Sequence, residues 1–212
     1  MEKEKTSKEK ILKAAKIIFA QKGKDGARMD EIAELSGLNK AMIYYYFESK
    51  DTIYKEILQT FFLEGFNKIF EIFKKPMTLK EKITNLVDFY INHYSNNPEF
   101  IKIMFRESIN DGIDIKNILK EMTGKIDFLK ANFLINLFEE EKKLGTMRSC
   151  IDIRNLIMSI IGMSFIYFLF KPISKGMMYR DQENIEFDEN EFLKNRKEHI
   201  IDLILNGIKE KE

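Results

Sequence analysis

Residues 29–47 read MDEIAELSGLNKAMIYYYF, a pattern that resolves into two short helices joined by a tight turn. Ile32, Ala33 and Leu35 place apolar side chains on one side of a first helix, and Gly37 supplies the left-handed residue that closes it. Asn39 can cap a second helix at once. From Lys40 to Phe47 the chain has neither Gly nor Pro, and Ile43 and Phe47 fall one turn apart on the buried side. With Ile43 facing inward, the 3.6-residue period turns Ala41 and Tyr45 outward and sets Met42 and Tyr44 beside them. Two packed helices around a Gly turn make a helix-turn-helix, whose second helix is shaped to enter a DNA major groove. Tyrosines on the solvent side contribute nothing to a core, so a partner is expected to meet them. The competing reading is an ordinary helical hairpin whose tyrosines pack on a neighbour.

The flanking segments suit that pair. Thr6 and Glu9 match a capping box, and Ile11, Ala15, Ile18 and Phe19 form one stripe of a bracing helix that ends at Gly23. Asp51 can start a helix of roughly 25 residues that buries Ile53, Ile57, Phe62, Phe66, Ile69 and Phe70 and stops before Pro76. It begins against the DNA-reading unit and runs on into the next bundle, which makes it a candidate mechanical connection. Thr78 and Glu81 open a helix with Ile83, Leu86, Val87, Tyr90 and Tyr94 on one face. Further helical patterns cover 98–109, 114–144 with an interruption at Gly124, 152 to just before Pro172, and the segment opened by Asp188 and Glu191. Alternating strand patterns are absent. The fold class is therefore all-α: an N-terminal three-helix helix-turn-helix domain over 1–50, joined by a long helix to a C-terminal helical bundle over 51–212, for which ligand binding and dimerisation are expected.

With 212 residues and a net charge of +1, the placement of charge matters more than its sum. Residues 1–55 carry 12 Lys or Arg against 9 Asp or Glu, a slight basic excess at the DNA-reading end. A single cysteine, Cys150, allows no internal disulfide and no Cys-rich zinc site, which points to a reducing compartment. The charged start MEKEKTSKEK lacks an apolar signal core. The longest uncharged run, 155–170, has sixteen residues and falls short of the ~20 that span a bilayer, so a cytoplasmic protein without a membrane partner is expected. Two histidines without a carboxylate pattern make no metal site, and no constellation suggests nucleophilic catalysis. No cofactor and no enzymatic activity are expected.

The run ILKAAKIIFAQKG, followed by DEIAELSGLNKAMIYYYFESKDTIY, resembles the DNA-binding domain of the TetR family of bacterial transcriptional regulators. Ala33, Gly37 and Ile43 stand at framework positions, and Tyr44, Tyr45, Phe47 and Lys50 stand where the family's signature falls. The resemblance covers about a quarter of the chain. It implies a homodimer whose reading helices enter successive major grooves of double-stranded operator DNA, and a C-terminal bundle that binds a small effector and releases DNA. It also implies that Lys40, Tyr45, Tyr46 and Lys50 hold phosphates while Ala41 and Tyr44 lie against base edges, roles suited to ammonium, hydroxyl, small and aromatic groups. Ala27 and Arg28 stand where the family often has Thr or Ser, and Arg28 can replace that phosphate contact with a charge. Asn39 and Met42 stand where hydroxyls are common, with Asn39 free to cap the helix or meet the DNA backbone, and Tyr46 replaces a frequent His.

Sixteen of eighteen phenylalanines and eight of eleven methionines follow residue 55, so an adaptable apolar effector site is expected there unless they simply form the core. Phe66, Tyr90, His93, Met104, Phe105 and Phe128 are the candidates, with His93 either a polar anchor or a hydrogen-bonded structural residue. Dimerisation is expected through the last two helices, at Leu156, Ile160, Met163, Phe192, His199 and Leu203, because a helix apolar all round needs covering on both sides. A monomer with the loop 171–187 folded over that surface is the alternative. The function expected is a repressor released by a small hydrophobic effector. The other classes are an effector-independent DNA-organising protein on the same scaffold and a non-DNA helical interaction module.

Overall fold

Caps and left-handed residues set most helix boundaries. The computed structural model describes residues 2–123, 132–178 and 187–209, with side chains over 6–122, 132–173 and 187–209. These residues form ten helices and no strand: α1 (Glu2–Gly26), α2 (Met29–Ser36), α3 (Lys40–Tyr46), α4 (Lys50–Ile72), α5 (Leu79–Ser95), α6 (Pro98–Ile109), α7 (Ile113–Thr123), α8 (Phe133–Lys143), α9 (Ile153–Met178) and α10 (Glu189–Ile208). Gly23 lies at φ 74 and breaks the helical geometry inside α1, as its position after the apolar stripe predicts. Thr78 and Glu81 cap α5 reciprocally, and the Asp188 carboxylate accepts from the amides of Asn190 and Glu191 at the start of α10. Asp111 and Gly112, both at positive φ, make the turn between α6 and α7.

The chain forms two compact units. The first holds Met1–Gly65 and Asn97–Lys125. In it α1 packs on α2 and α6, α2 on α3, and α6 on α7. Ile11, Ala15, Phe19, Ile32, Ile43, Ile53 and Leu58 lose all contact with solvent there, and the Phe19 ring meets Tyr54 edge-on at 4.9 Å. The Tyr54 hydroxyl donates to Glu107 Oε1 at 2.6 Å, tying α4 to α6 inside this core. The boundary expected at residue 50 divides the chain by role; division by packing adds α6, α7 and the first part of α4 to the helix-turn-helix.

The second unit holds Phe66–Asn96 and Ile126–Glu212. Here α5 packs on α9 and α10, and α9 on α8 and α10. Ile83, Leu86, Val87, Phe138, Ile160 and Ile200 form the centre of its core. Within it the Lys82 ammonium pairs with Glu141, and the Thr146 hydroxyl donates to the same carboxylate. Burial works to raise the Glu141 pKa, but the hydrogen bonds from Lys82 and Thr146 outweigh it and hold the group below the usual carboxylate range.

Four expectations are corrected. The first helix begins at Glu2, so Thr6 lies inside it and not at its start, because a charged, Gly-free and Pro-free segment lets the helix propagate further back. Leu35 is 48% exposed, since Ile32 alone fills the inner side of the short α2. Pro172 lies inside α9, where it removes one intrahelical hydrogen bond without ending the helix. The helical stretch Ile153–Ile173, 21 residues, is accordingly long and apolar enough to cross a membrane by length and composition. Finally, Leu156 and Ile160, expected on the partner-facing side, point into the chain's own core. Residues 124–131, with Gly124, Ile126 and Phe128, lie outside the described residues.

Replacing Glu141 by Gln leaves a buried ammonium unpaired and should cost about 3–5 kcal/mol in urea unfolding, whereas Lys82→Met with Glu141→Met recovers most of that loss. The Glu141 contribution is present above about pH 5 and disappears as acid titrates the folded carboxylate, because the unfolded chain takes up its proton first. Stability curves of the wild type and Glu141→Gln should converge below that range.

Candidate nucleic-acid interface

Everything on the reading helix follows from which residue of α3 faces inward. Ile43 has no exposed surface and Phe47, one turn on, has 1%. Their burial turns Ala41, Tyr44 and Tyr45 to solvent, Tyr45 to 72% and Tyr44 to 48%, with Met42 and Tyr46 half-buried at the sides. The Tyr45 and Tyr46 rings meet edge-on at 5.1 Å, which limits the freedom of both. Asn39 is the N-cap: its side-chain oxygen accepts from the Met42 amide at 2.8 Å. Gly37, at φ 69, donates to the Ala33 and Glu34 carbonyls and closes α2 three residues earlier.

The three cations expected to hold phosphates are in different states. Lys40 is exposed and pairs with Asp30 at 2.8 Å, which raises its pKa through that hydrogen bond. An exposed pair of this kind contributes little to stability, so an arriving phosphate can replace the carboxylate at small cost. Arg28 sits at the N-cap of α2, exposed, with its backbone amide donating to Glu31 Oε2 at 3.4 Å. Lys50 is half-buried and donates to the carbonyls of Asp25 and Ala27 at 3.0 and 3.1 Å, so it also ties the loop before α2 to the start of α4. An ammonium has three donors, and those carbonyls take two.

Comparison with known proteins agrees with this geometry. Residues 11–57 match the family described as bacterial regulatory proteins, tetR family, and residues 80–204 match the tetracyclin repressor-like C-terminal domain. The chain belongs to the TetR family. Among curated relatives, the HTH-type transcriptional repressor NicS of Pseudomonas putida is 26% identical over 168 residues, 76% of this chain and 75% of that one. Two solved structures share the fold. The fatty acid degradation regulator FadR from Bacillus halodurans has a TM-score of 0.69 at 20% identity, covering 97% of each chain. FadR from Bacillus subtilis, solved with stearoyl-CoA, has a TM-score of 0.67 at 21% identity, covering 94% of this chain and 98% of that one. This TetR-family chain is a DNA-binding transcriptional regulator.

In this family member the expected effector residues are spread over both units. Met104 and Phe105 belong to the first, Phe105 being 46% exposed; Phe66, 37% exposed, Tyr90 and His93 belong to the second. Tyr90 and His93 come together through Phe89, whose ring lies 5.1 Å from each, and Tyr90 stacks on Tyr94 at 5.9 Å. Tyr94 in turn meets Phe165 and Phe168 of α9. Burial pushes the Tyr90 hydroxyl up to about 12 and lowers the His93 pKa, with the nearby Lys68 charge acting in the same direction on the imidazole.

Of the expected dimer residues, Met163 and Phe192 are half-buried, and His199 and Leu203 are exposed. The apolar side chains that α9 leaves open are Met158, Ile166, Phe170 and Ile173, at 65, 42, 48 and 51% exposure. Composition could not pick them out, because Ser164 holds an inward position while isoleucines and methionines lie on both faces. A wheel fixed on Ile153, Leu156 and Ile160 would have found them.

Removing the α3 cap by Asn39→Ala should lower stability by about 1 kcal/mol, while Asn39→Asp, which keeps an acceptor oxygen, should stay within a few tenths. Denaturant midpoints at constant m-value check both.

Proposed function

We propose that this regulator is a repressor which binds operator DNA as a homodimer and is released when a small apolar molecule occupies its C-terminal unit. The observation that carries the reading is the outward set on α3, two exposed tyrosines and a small Ala41 beside a displaceable Lys40. A tyrosine ring can rest on a thymine methyl, Ala41 lets the helix backbone approach a base edge, and Lys40, Tyr45, Tyr46, Arg28 and the remaining Lys50 donor suit phosphate oxygens. Asn39 is already committed to its cap, and half-buried Met42 lies at the edge of the same face.

Two copies are needed for a half-site spacing of about 34–36 Å, and the open face of α9 with Leu203 of α10 supports self-association. For the effector, the aromatic group around Tyr90, His93, Tyr94, Phe165 and Phe168 is the best supported lining: one neutral imidazole and buried hydroxyls among rings give an apolar site with few polar anchors. Binding of stearoyl-CoA by the Bacillus subtilis FadR is in keeping with an apolar ligand. Release would be a coupling of ~1–3 kcal/mol between the two sites. A cytoplasmic location goes with the single cysteine and with DNA as the partner.

A gel shift with the DNA flanking its own gene tests the reading. Tyr45→Ala and Lys40→Ala should weaken binding on every sequence, the lysine change also lowering the salt slope by about one, while Tyr44→Ala should alter which base pairs are preferred. Sedimentation should give twice the 25.2 kDa chain mass, and Ile166→Asp should return it to one. No retarded band, or an operator preference unchanged by Tyr44→Ala, would refute the assignment.

A further inference from the structure

The first unit contains a cavity of about 360 Å³ that none of the preceding roles uses, between the end of α1, Tyr54 of α4, and the α6–α7 corner. Its volume lies within the range of small-molecule sites, roughly 300–1,000 Å³. Ile113, 61% exposed, offers apolar surface at its edge, with the buried Phe19 and Ile103 behind the lining. Of the six charged lining residues three are already matched, Lys24 holding Asp114 at 2.8 Å and Asp51 at 3.1 Å and Lys22 holding Glu31 at 2.5 Å, and a fourth, Asp25, is exposed to water.

Two adjacent residues of α6 are not matched in this way. Arg106 is exposed at the cavity rim; its guanidinium donates to the carbonyls of Ala20 at 3.4 Å and Gln21 at 2.6 Å, neutral acceptors at the end of the straight part of α1, and has no carboxylate partner among the described residues. Glu107, 5% exposed, accepts one bond, from the Tyr54 hydroxyl, and has no cationic partner among the described residues. Leaving a carboxylate this deep without a counter-charge is costly. The two side chains carry opposite charge, line the same space and form no ion pair with each other.

We propose that this cavity binds a small zwitterion of the α-amino acid class, its carboxylate on Arg106 and its ammonium on Glu107. Such a ligand gives the buried Glu107 its missing counter-charge and the solvent-exposed Arg106 an ion-pair partner at once. Its side chain then lies toward the apolar edge at Ile113. The site is separate from the aromatic group of the second unit and does not depend on the identity of the apolar effector.

Calorimetric titration and thermal melts of the full chain against the twenty L-α-amino acids test this. n-Butylamine and butyrate serve as one-ended probes, and glycine betaine as a zwitterion whose ammonium cannot donate. At least one amino acid should bind and raise the Tm, with the one-ended probes and betaine binding at least tenfold more weakly. Arg106→Met and Glu107→Gln should each lose tenfold or more. Ile113→Trp, which fills the edge and leaves the polar groups in place, should do the same, so that a folding defect in one variant does not decide the outcome. No response of the wild-type chain to any amino acid at millimolar concentration would overturn the proposal. So would equal binding of amino acids and one-ended probes, or full binding by the three variants.

Discussion

The inward placement of Ile43 is the constraint on which the interface depends. A seven-residue helix has little intrinsic stability, since nucleation is unfavourable and few hydrogen bonds repay it. The helix persists because Asn39 satisfies an amide at one end, Ile43 and Phe47 bury one turn apart, and α2 packs against it. Rotating α3 by one residue would bring Tyr44 into the core and set Ile43 in water, at a cost of about 1.5–3 kcal/mol for the isoleucine alone. Core packing therefore holds the reading face open, and the exposed tyrosines need no contact of their own within the chain.

The same logic explains why the cations around α3 differ. Lys40 can be recruited by phosphate because its carboxylate partner is exposed and screened. Lys50 cannot move freely: its carbonyl bonds position the loop that delivers Arg28. In the proposed interface it would serve twice, as a brace through those carbonyls and as a phosphate donor, and loss of the side chain would then alter stability as well as affinity. Arg106 braces the other end of that loop by holding the last carbonyls of the straight part of α1, beside Gly23, whose positive φ lets the backbone turn there.

Much of this was legible in the sequence, for identifiable reasons. Local signals at Gly37, Asn39, Thr78 and Glu81, Asp111 and Gly112, and Asp188 operate within a few residues, so they survive any tertiary arrangement. The 3.6 period of α3 did the same for Ala41, Tyr44 and Tyr45. What failed was long-range or competing. Nothing near Leu35 announces that α2 is too short to bury a third apolar residue. Pro172 forbids one hydrogen bond but not a helix already held by packing. Tyr54 with Glu107, and Lys82 with Glu141, are joined across 53 and 59 positions, and no spacing rule couples them. The residues of the α9 face were misassigned because its composition is apolar all round, and only the packing of α5, α8 and α10 against it separates Ile160 from Ile166.

That asymmetry of α9 also bears on what meets its open side. By length and apolarity the helix could sit in lipid, but its neighbours argue otherwise. α5, packed along it, carries Asp88 paired with Lys197 of α10 at 2.9 Å, and Lys82 paired with Glu141. Arg196 of α10 reaches the Met163 carbonyl in the middle of α9 at 3.0 Å. Placing α9 at bilayer depth would carry these charges into hydrocarbon with it, at a few kcal/mol each. Against a protein surface the same charges stay at the edge in water while Met158, Ile166, Phe170 and Ile173 are covered. The exposed row thus has the character of half an interface, apolar along its centre with charge beside it, and a second copy of the chain presents the same row.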